Sequence, residues 1–266
     1  MQEIIIYFTI YSILGWICEC VYCAAIDKVW VNRGFLNGPV CPVYGFGSMF
    51  VILILGNLKG HYIELFISSI ILTTALEYLT AVILERAFNL KWWDYSNYKL
   101  NYKGRICVLN SVIFGFLSLF LIEILNPFIV EKVDLLSVQL KSIFAVIIVI
   151  IFIVDLVLTI ISLIDMNDML SKINGMFREF KRFGINLEKL NDIEFNRAFI
   201  KVSNLKDFKN IKSIIEDGYN NFKDFRLKSS IQNRIIKAFP DLKSKEYSDQ
   251  FKKMKESIQD YWKNKN

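Results

Sequence analysis

Glu19, Glu77 and Asp155 stand inside stretches that otherwise read as hydrocarbon, and Glu85 sits at the end of one. An ionised carboxylate at the centre of a bilayer costs about 2.5–3.5 kcal/mol on insertion scales, so such a group faces a bundle interior and finds a partner. Arg33, Arg86 and Arg105 are the arginines near enough in sequence to serve. A guanidinium fork can take a carboxylate bidentately and still present donors to a phosphate or another anion. Two outcomes fit this set. Glu19 and Glu77 either pair with arginines and hydroxyls to hold helices together, or line a polar pocket. Asp155 has a third option, a hydrogen bond to Ser or Thr within the bundle.

Two loops carry the remaining candidates. Asn32 to Gly47 contains four glycines, two of the four prolines in the chain, and Arg33. Unpaired backbone amides in hydrocarbon cost several kcal/mol each, so glycine and proline at this density need a reason. The stretch is either a sharp turn or a discontinuous element that shapes a cavity, and Asn32, Arg33, Gly38 and Tyr44 are its candidate site residues. The second loop runs Lys91-Trp92-Trp93-Asp94-Tyr95-Ser96, then Asn101 and Gly104-Arg105-Ile106-Cys107. Trp and Tyr here read first as an interfacial aromatic belt. Trp93, Asp94, Ser96, Asn101 and Arg105 nevertheless form a denser polar set than anchoring requires.

Other chemistries find less support. The five cysteines all lie in the apolar part, and no His or Cys set completes Cys18-x-Cys20-x-x-Cys23 as a metal site. Buried structural thiols are the simpler reading. No defined nucleophile–base spacing occurs, and no Gly-x-x-x-x-Gly-Lys-Ser/Thr loop, so the chain does not hydrolyse ATP by itself. No cofactor or metal is implied. Whether the chain is an enzyme stays open at this point.

The elements that must position these residues are long apolar helices. The hydrophobic fraction is 54%, high for a soluble domain. About 20 residues of helix cross a bilayer core. Five segments qualify, approximately 4–25, 40–58, 62–84, 106–125 and 142–164, the second being weakest because it begins in the glycine-proline stretch. Met1-Gln2-Glu3 is acidic and no small-residue cleavage site follows, which argues against a cleaved signal peptide.

Charge then sets orientation. The loops after the first and third segments carry Lys28, Arg33, Arg86, Lys91, Lys99, Lys103 and Arg105, against Lys59, Lys132 and Lys141 on the other side. The positive-inside rule places the N-terminus outside and both motif-rich loops in the cytoplasm.

Residues 166–266 form a second region with 22 Lys/Arg and 14 Asp/Glu, against ten and twelve before it. Phe177, Phe180, Phe183 and Ile185 among Arg178, Lys181 and Arg182 read either as a basic amphipathic helix on anionic lipid of the inner leaflet or, more simply, as part of a small helical domain with solvated lysines. Further helices are expected near 191–202, 205–217 and 244–263. Nucleic acid is not an expected partner, because the basic charge is diluted by acids and no binding motif is present. The fold class read here is all-α: a polytopic bundle over 1–165 with a helical tail over 166–266.

With Gly15-Trp16-x-x-Glu19, the Asn32–Gly47 stretch, Glu77-Tyr78-x-Thr80, Glu85, Trp92-Trp93-Asp94-Tyr95-Ser96 and Gly104-Arg105-Ile106-Cys107 in place, the chain resembles a bacterial family. The family is putative ABC-transporter type IV, and the resemblance covers roughly residues 5–160. An aromatic-glycine pair that often reads Trp-Gly there is Phe114-Gly115 here. The resemblance implies a multi-pass protein of the bacterial plasma membrane acting as a permease-like component, with a separate ATPase or a second copy as partner. In that reading Glu19, Asn32, Arg33, Gly38, Tyr44, Glu77, Glu85, Trp93, Asp94, Ser96, Asn101 and Arg105 bind an unknown substrate. Two alternatives remain: a membrane-embedded enzyme acting on a lipid or polyprenyl-phosphate headgroup, and a membrane scaffold or sensor.

Overall fold

The computed structural model describes residues 1–28, 30–187, 191–203, 208–228 and 230–263. The described residues are overwhelmingly helical, and four helices are long and apolar enough to cross a membrane: Gln2–Ala25, Tyr62–Phe88, Val108–Asp134 and Val138–Arg182. The expected second span falls short. The part of its glycine-proline stretch before Pro42 stays non-helical, and α2 runs only from Pro42 to Leu55, with a 3-10 turn to Leu58. Fourteen residues give about 21 Å of helix, less than a hydrocarbon core of about 30 Å. Pro42 opens α2 because a proline lacks the amide that the first helical turn leaves unpaired anyway.

The chain divides into two compact units: residues 1–84, 92–160 and 237–241 in the first, and residues 85–91, 161–236 and 242–266 in the second. In the first unit α1 (Gln2–Asp27) and α2 pack closely because glycines remove the side chains between them. A Cβ on Gly15 would stand inside the Tyr44 side chain, and one on Gly45 would overlap Ser12 Oγ and lie 2.8 Å from the Phe8 ring. At their far end Ile6, Tyr11, Val51, Leu55 and Leu65 join Leu121, Ile122, Ile129 and Val133 in one apolar core. There Lys141 holds Glu3 at 2.6 Å.

The span Val108–Asp134 is not uniform. α4 (Val108–Phe120) passes through a π turn at Leu121–Leu125 into α5 (Asn126–Asp134). Pro127 explains the irregularity, since its ring would clash with the carbonyl four residues back. Ile106-Cys107, expected to begin this helix, instead form strand β3, paired with β2 (Asn101–Tyr102). Lys103 and Gly104 both have positive φ, 55° and 66°. They are the two central residues of a tight turn, closed by the Arg105 amide donating to Tyr102 O at 3.1 Å, within a three-residue connection between the strands.

α6 is one helix of 45 residues, Val138–Arg182, rather than a span ending near residue 164. Asp165, Asn167 and Asp168 end its hydrocarbon character but not its helix. Leu163, Met166, Leu170, Ile173, Phe177 and Phe180 recur at alternating spacings of three and four, and all are buried in the second unit. Phe177 and Phe180 are therefore core residues of that unit and not a lipid-facing stripe. Gly184, at φ 72°, closes α6: its amide donates to Lys181 O at 3.0 Å, and the Ile185 amide donates to Phe180 O at 2.9 Å.

Around this part of α6 stand α7 (Asp192–Ser203), α8 (Phe208–Lys228), α9 (Ser230–Ala238) and α10 (Ser248–Lys263). The start of the helix expected at Leu205 lies outside the described residues. Phe195 stacks on Tyr219 at 3.6 Å, and Gly218 lets α8 approach Lys172 O and Met176. Strand β1 (Leu90–Lys91), just after α3 (Tyr62–Phe88), pairs with β4 (Lys243–Ser244).

Two glycines of α1 and α2 give a paired test in lipid nanodiscs. Gly15→Ala forces Tyr44 aside and lowers stability by about 1–3 kcal/mol, read as a lower thermal midpoint. Gly47→Ala, with nothing within 4 Å of the added Cβ, leaves the midpoint unchanged or raises it.

Candidate functional site

The Asn32–Cys41 stretch is held by internal acceptors. Asp155, on α6, is its principal anchor. Its Oδ1 accepts the Asn37 amide and the Asn37 side-chain Nδ2, each at 2.9 Å, and its Oδ2 accepts the Gly38 amide at 2.7 Å. Thr159, one turn on, donates to Asp155 Oδ1 at 3.4 Å and receives Asn37 Nδ2 at 3.2 Å. A Cβ on Gly38 would press to 3.2 Å from Asp155 Oδ2, so glycine lets the carboxylate reach the backbone.

Asn32 does the same on the other flank. Its Oδ1 accepts Trp16 Nε1 at 2.7 Å and the Gly34 amide at 2.9 Å, while its Nδ2 donates to Asn37 O at 2.8 Å. The Cys41 amide donates to Ser12 O at 3.0 Å. These amides are thus satisfied by the chain itself and do not stand open to an anion. Burial pushes the Cys41 thiol up to about 12.

The loop so held presents Arg33 to Glu19. Glu19 Oε2 lies 3.9 Å from Arg33 Nε, with the two side chains 29% and 20% exposed. Tyr44 donates its hydroxyl to Glu19 Oε1 at 2.5 Å. Gly15, one turn before Glu19, makes room for that ring. Glu77, from α3, stands close enough for Glu19 and Glu77 to feel each other's charge. Tyr95 hydrogen-bonds both Glu77 and Asn110. Burial first, and the Glu77 charge next, hold the Tyr95 phenol well above the usual tyrosine range, so it keeps its proton. Two buried polar atoms here, Glu77 Oε2 and Arg33 Nε, have no hydrogen-bond partner among the described residues.

The other sequence candidates have different positions. Trp93 Nε1 donates to Arg105 O at 2.8 Å, and Arg105 reaches the Tyr78 hydroxyl at 3.2 Å with its guanidinium over that ring. Asp94 caps its own turn through the Ser96 amide and hydroxyl, at 3.1 and 2.5 Å. Asn101 braces the hairpin through Tyr98 O and the Gly104 amide. Trp93, Asp94, Ser96, Asn101 and Arg105 therefore hold the second loop in shape, which brings Tyr95 to Glu77. Glu85 belongs to the second unit, 4% exposed, with Lys245 at 3.8 Å.

Sequence reasoning omitted Tyr95, Asn110 and Asp155 from the site set. Tyr95 lies inside the Trp92–Ser96 motif, where an aromatic reads as a belt residue. Asp155 was seen as an expensive charge, but its partner, a backbone 118 residues away, leaves no pattern in sequence.

A family model described as putative ABC-transporter type IV matches residues 6–160. Comparison with curated proteins gives no match, and comparison with solved structures gives none.

Removing the Asp155 carboxylate strands the Asn37 and Gly38 amides. Asp155→Ala is expected to raise hydrogen exchange at both by about tenfold or more, as the loss of about 1–3 kcal/mol per stranded donor implies. Asp155→Asn, which keeps one acceptor oxygen, falls between. Unchanged exchange in Asp155→Ala would show that the loop is held by something else. Because its pKa is raised, Cys41 forms thiolate only as pH approaches 12, so its alkylation by iodoacetamide stays slow from pH 7 to 9.

Proposed function

We propose a role from one premise: this chain belongs to the putative ABC-transporter type IV family, through residues 6–160. It is a membrane protein, with four helices long and apolar enough to span. In our reading it is a permease-like component whose polar site is the cluster of Glu19, Arg33, Tyr44, Glu77 and Tyr95. Asn32, Gly38, Trp93, Asp94, Ser96, Asn101 and Arg105 hold the two loops that bring the cluster together. The sequence carries no ATP-binding loop, so energy comes from a separate ATPase subunit, with a second copy of this chain as a further partner. Loop charges favour the cytoplasm for the site and the tail, and the family match favours the bacterial plasma membrane as location.

One observation carries the reading. Glu77 Oε2 is buried in a helix long and apolar enough to span, with no hydrogen-bond partner among the described residues. A lone carboxylate oxygen in that setting costs free energy unless it has a task. Beside it Glu19 and Arg33 supply both signs of charge, and Tyr95, hydrogen-bonded to Glu77 and Asn110, holds the acid in place. A small substrate with a polar or charged group is what such a set is suited to hold.

The test is purification from the native host membrane, followed by reconstitution in liposomes. An ATPase subunit should accompany the chain, and Glu77→Gln should lower its transport-coupled hydrolysis by about tenfold or more. The reading fails if no ATPase is found with the purified chain and the Glu77→Gln chain complements a deletion strain fully.

A further inference from the structure

The proposed site is obstructed by a piece of the same chain. Lys237–Asp241 belongs to the first compact unit, although the residues before and after it belong to the second. α9 ends in this segment at Ala238, which is fully buried, and the Ala238 carbonyl accepts a hydrogen bond from Arg33, 205 residues earlier. The next residue, Phe239, lies with its ring centre 5.4 Å from the Arg33 guanidinium carbon. Phe239 also meets Trp92 edge-on at 5.0 Å and 88°, and Trp92 packs on Phe35 at 5.1 Å. Pro240 follows and ends the helix there, since a proline disfavours helical backbone in the residue before it.

These contacts fall on the residue that gives the cluster its positive charge. Arg33 is enclosed by a carbonyl oxygen, an aromatic face and the Glu19 carboxylate at 3.9 Å. A neutral carbonyl and a ring face hold a guanidinium more weakly than a well-placed carboxylate or phosphate, whose charge-assisted bonds are about twice as strong. The arrangement suits a group that must be displaced. A structural clamp would be expected to use a second acid, and Ala238, Phe239 and Pro240 offer none.

We propose that Ala238-Phe239-Pro240 is an intramolecular plug on Arg33, and that the site takes an anionic group only after this segment withdraws. The inference rests on reading the Glu19–Arg33–Glu77 cluster as the site of a permease-like component, and it adds regulation to that site. The tail then acts as the gate of the membrane part. Any partner that draws the segment off Arg33 opens the site.

Phenylglyoxal, which modifies exposed guanidinium groups, tests this without knowledge of the substrate. The full chain in lipid nanodiscs is treated and each arginine is quantified by peptide mass spectrometry. Arg33 should react slowly in the unaltered chain and about tenfold faster in Phe239→Ala, the factor that follows from losing about 1.4 kcal/mol of holding contact. Arg105, held on Tyr78, should not change. An Arg33 rate equal to that of the unaltered chain would overturn the plug. If Phe239→Ala accelerates Arg105 as well, the fold has loosened and Phe239→Leu decides. That variant keeps apolar bulk but removes the ring face, so Arg33 alone should accelerate, and no acceleration overturns the plug. Because labelling needs no ATPase, a negative Glu77→Gln result in liposomes would remove the permease reading while leaving the labelling result to stand by itself.

Discussion

Backbone amides near hydrocarbon need acceptors, and the Asn32–Cys41 stretch depends on the one supplied by Asp155. A loop rich in glycine and proline cannot satisfy its own amides as a helix does. Asp155 takes two of them and the Asn37 side chain on a single carboxylate. Its cost as a charge in a spanning helix is offset by charge-assisted hydrogen bonds, which run about 1.5–3 kcal/mol each. Two internal groups, Asp155 and Asn32, therefore fix the loop from opposite flanks. Everything proposed for Arg33 follows from the loop being held there.

The consequence is a division of labour among the acidic residues. Asp155 is consumed by structure. Glu19 is shared between Tyr44 and Arg33. Glu77 keeps one oxygen without a hydrogen bond among the described residues. In the proposed reading this gradient, from fully satisfied to partly unsatisfied, separates the residue that holds the loop from the residues offered to a substrate. Close helix packing matters for the same reason. Gly15 allows Tyr44 to sit beside Glu19, so a backbone choice in α1 sets the position of a hydroxyl from α2.

Much of the fold was legible because hydrophobic runs and glycine-proline punctuation are local signals. Four of the expected spans are long apolar helices, and the weakest expected span proved too short, for the glycine-proline reason already visible. The length of α6 was missed because its apolar run ends near residue 164 while a heptad-like stripe continues the helix. The β2–β3 hairpin was missed because Ile106-Cys107 leads into apolar helix and masks the Lys103-Gly104 turn. Motif residues mark these two loops, but not the contact that each side chain makes. Whether Asn101 braces a hairpin or lines a pocket depends on contacts that spacing does not encode. The segment at Ala238-Phe239 left no trace at all, since nothing in a tail helix end announces a partner at Arg33.

One arrangement is central: an Asp155-anchored loop that brings Arg33 to Glu19. A density map of the full chain in a lipid nanodisc tests it most directly. The account predicts Asp155 on the Asn37 and Gly38 amides, together with non-protein density or ordered water beside Glu77 Oε2. A map in which Asp155 faces lipid, with Glu77 and Arg33 on separate surfaces, would contradict it.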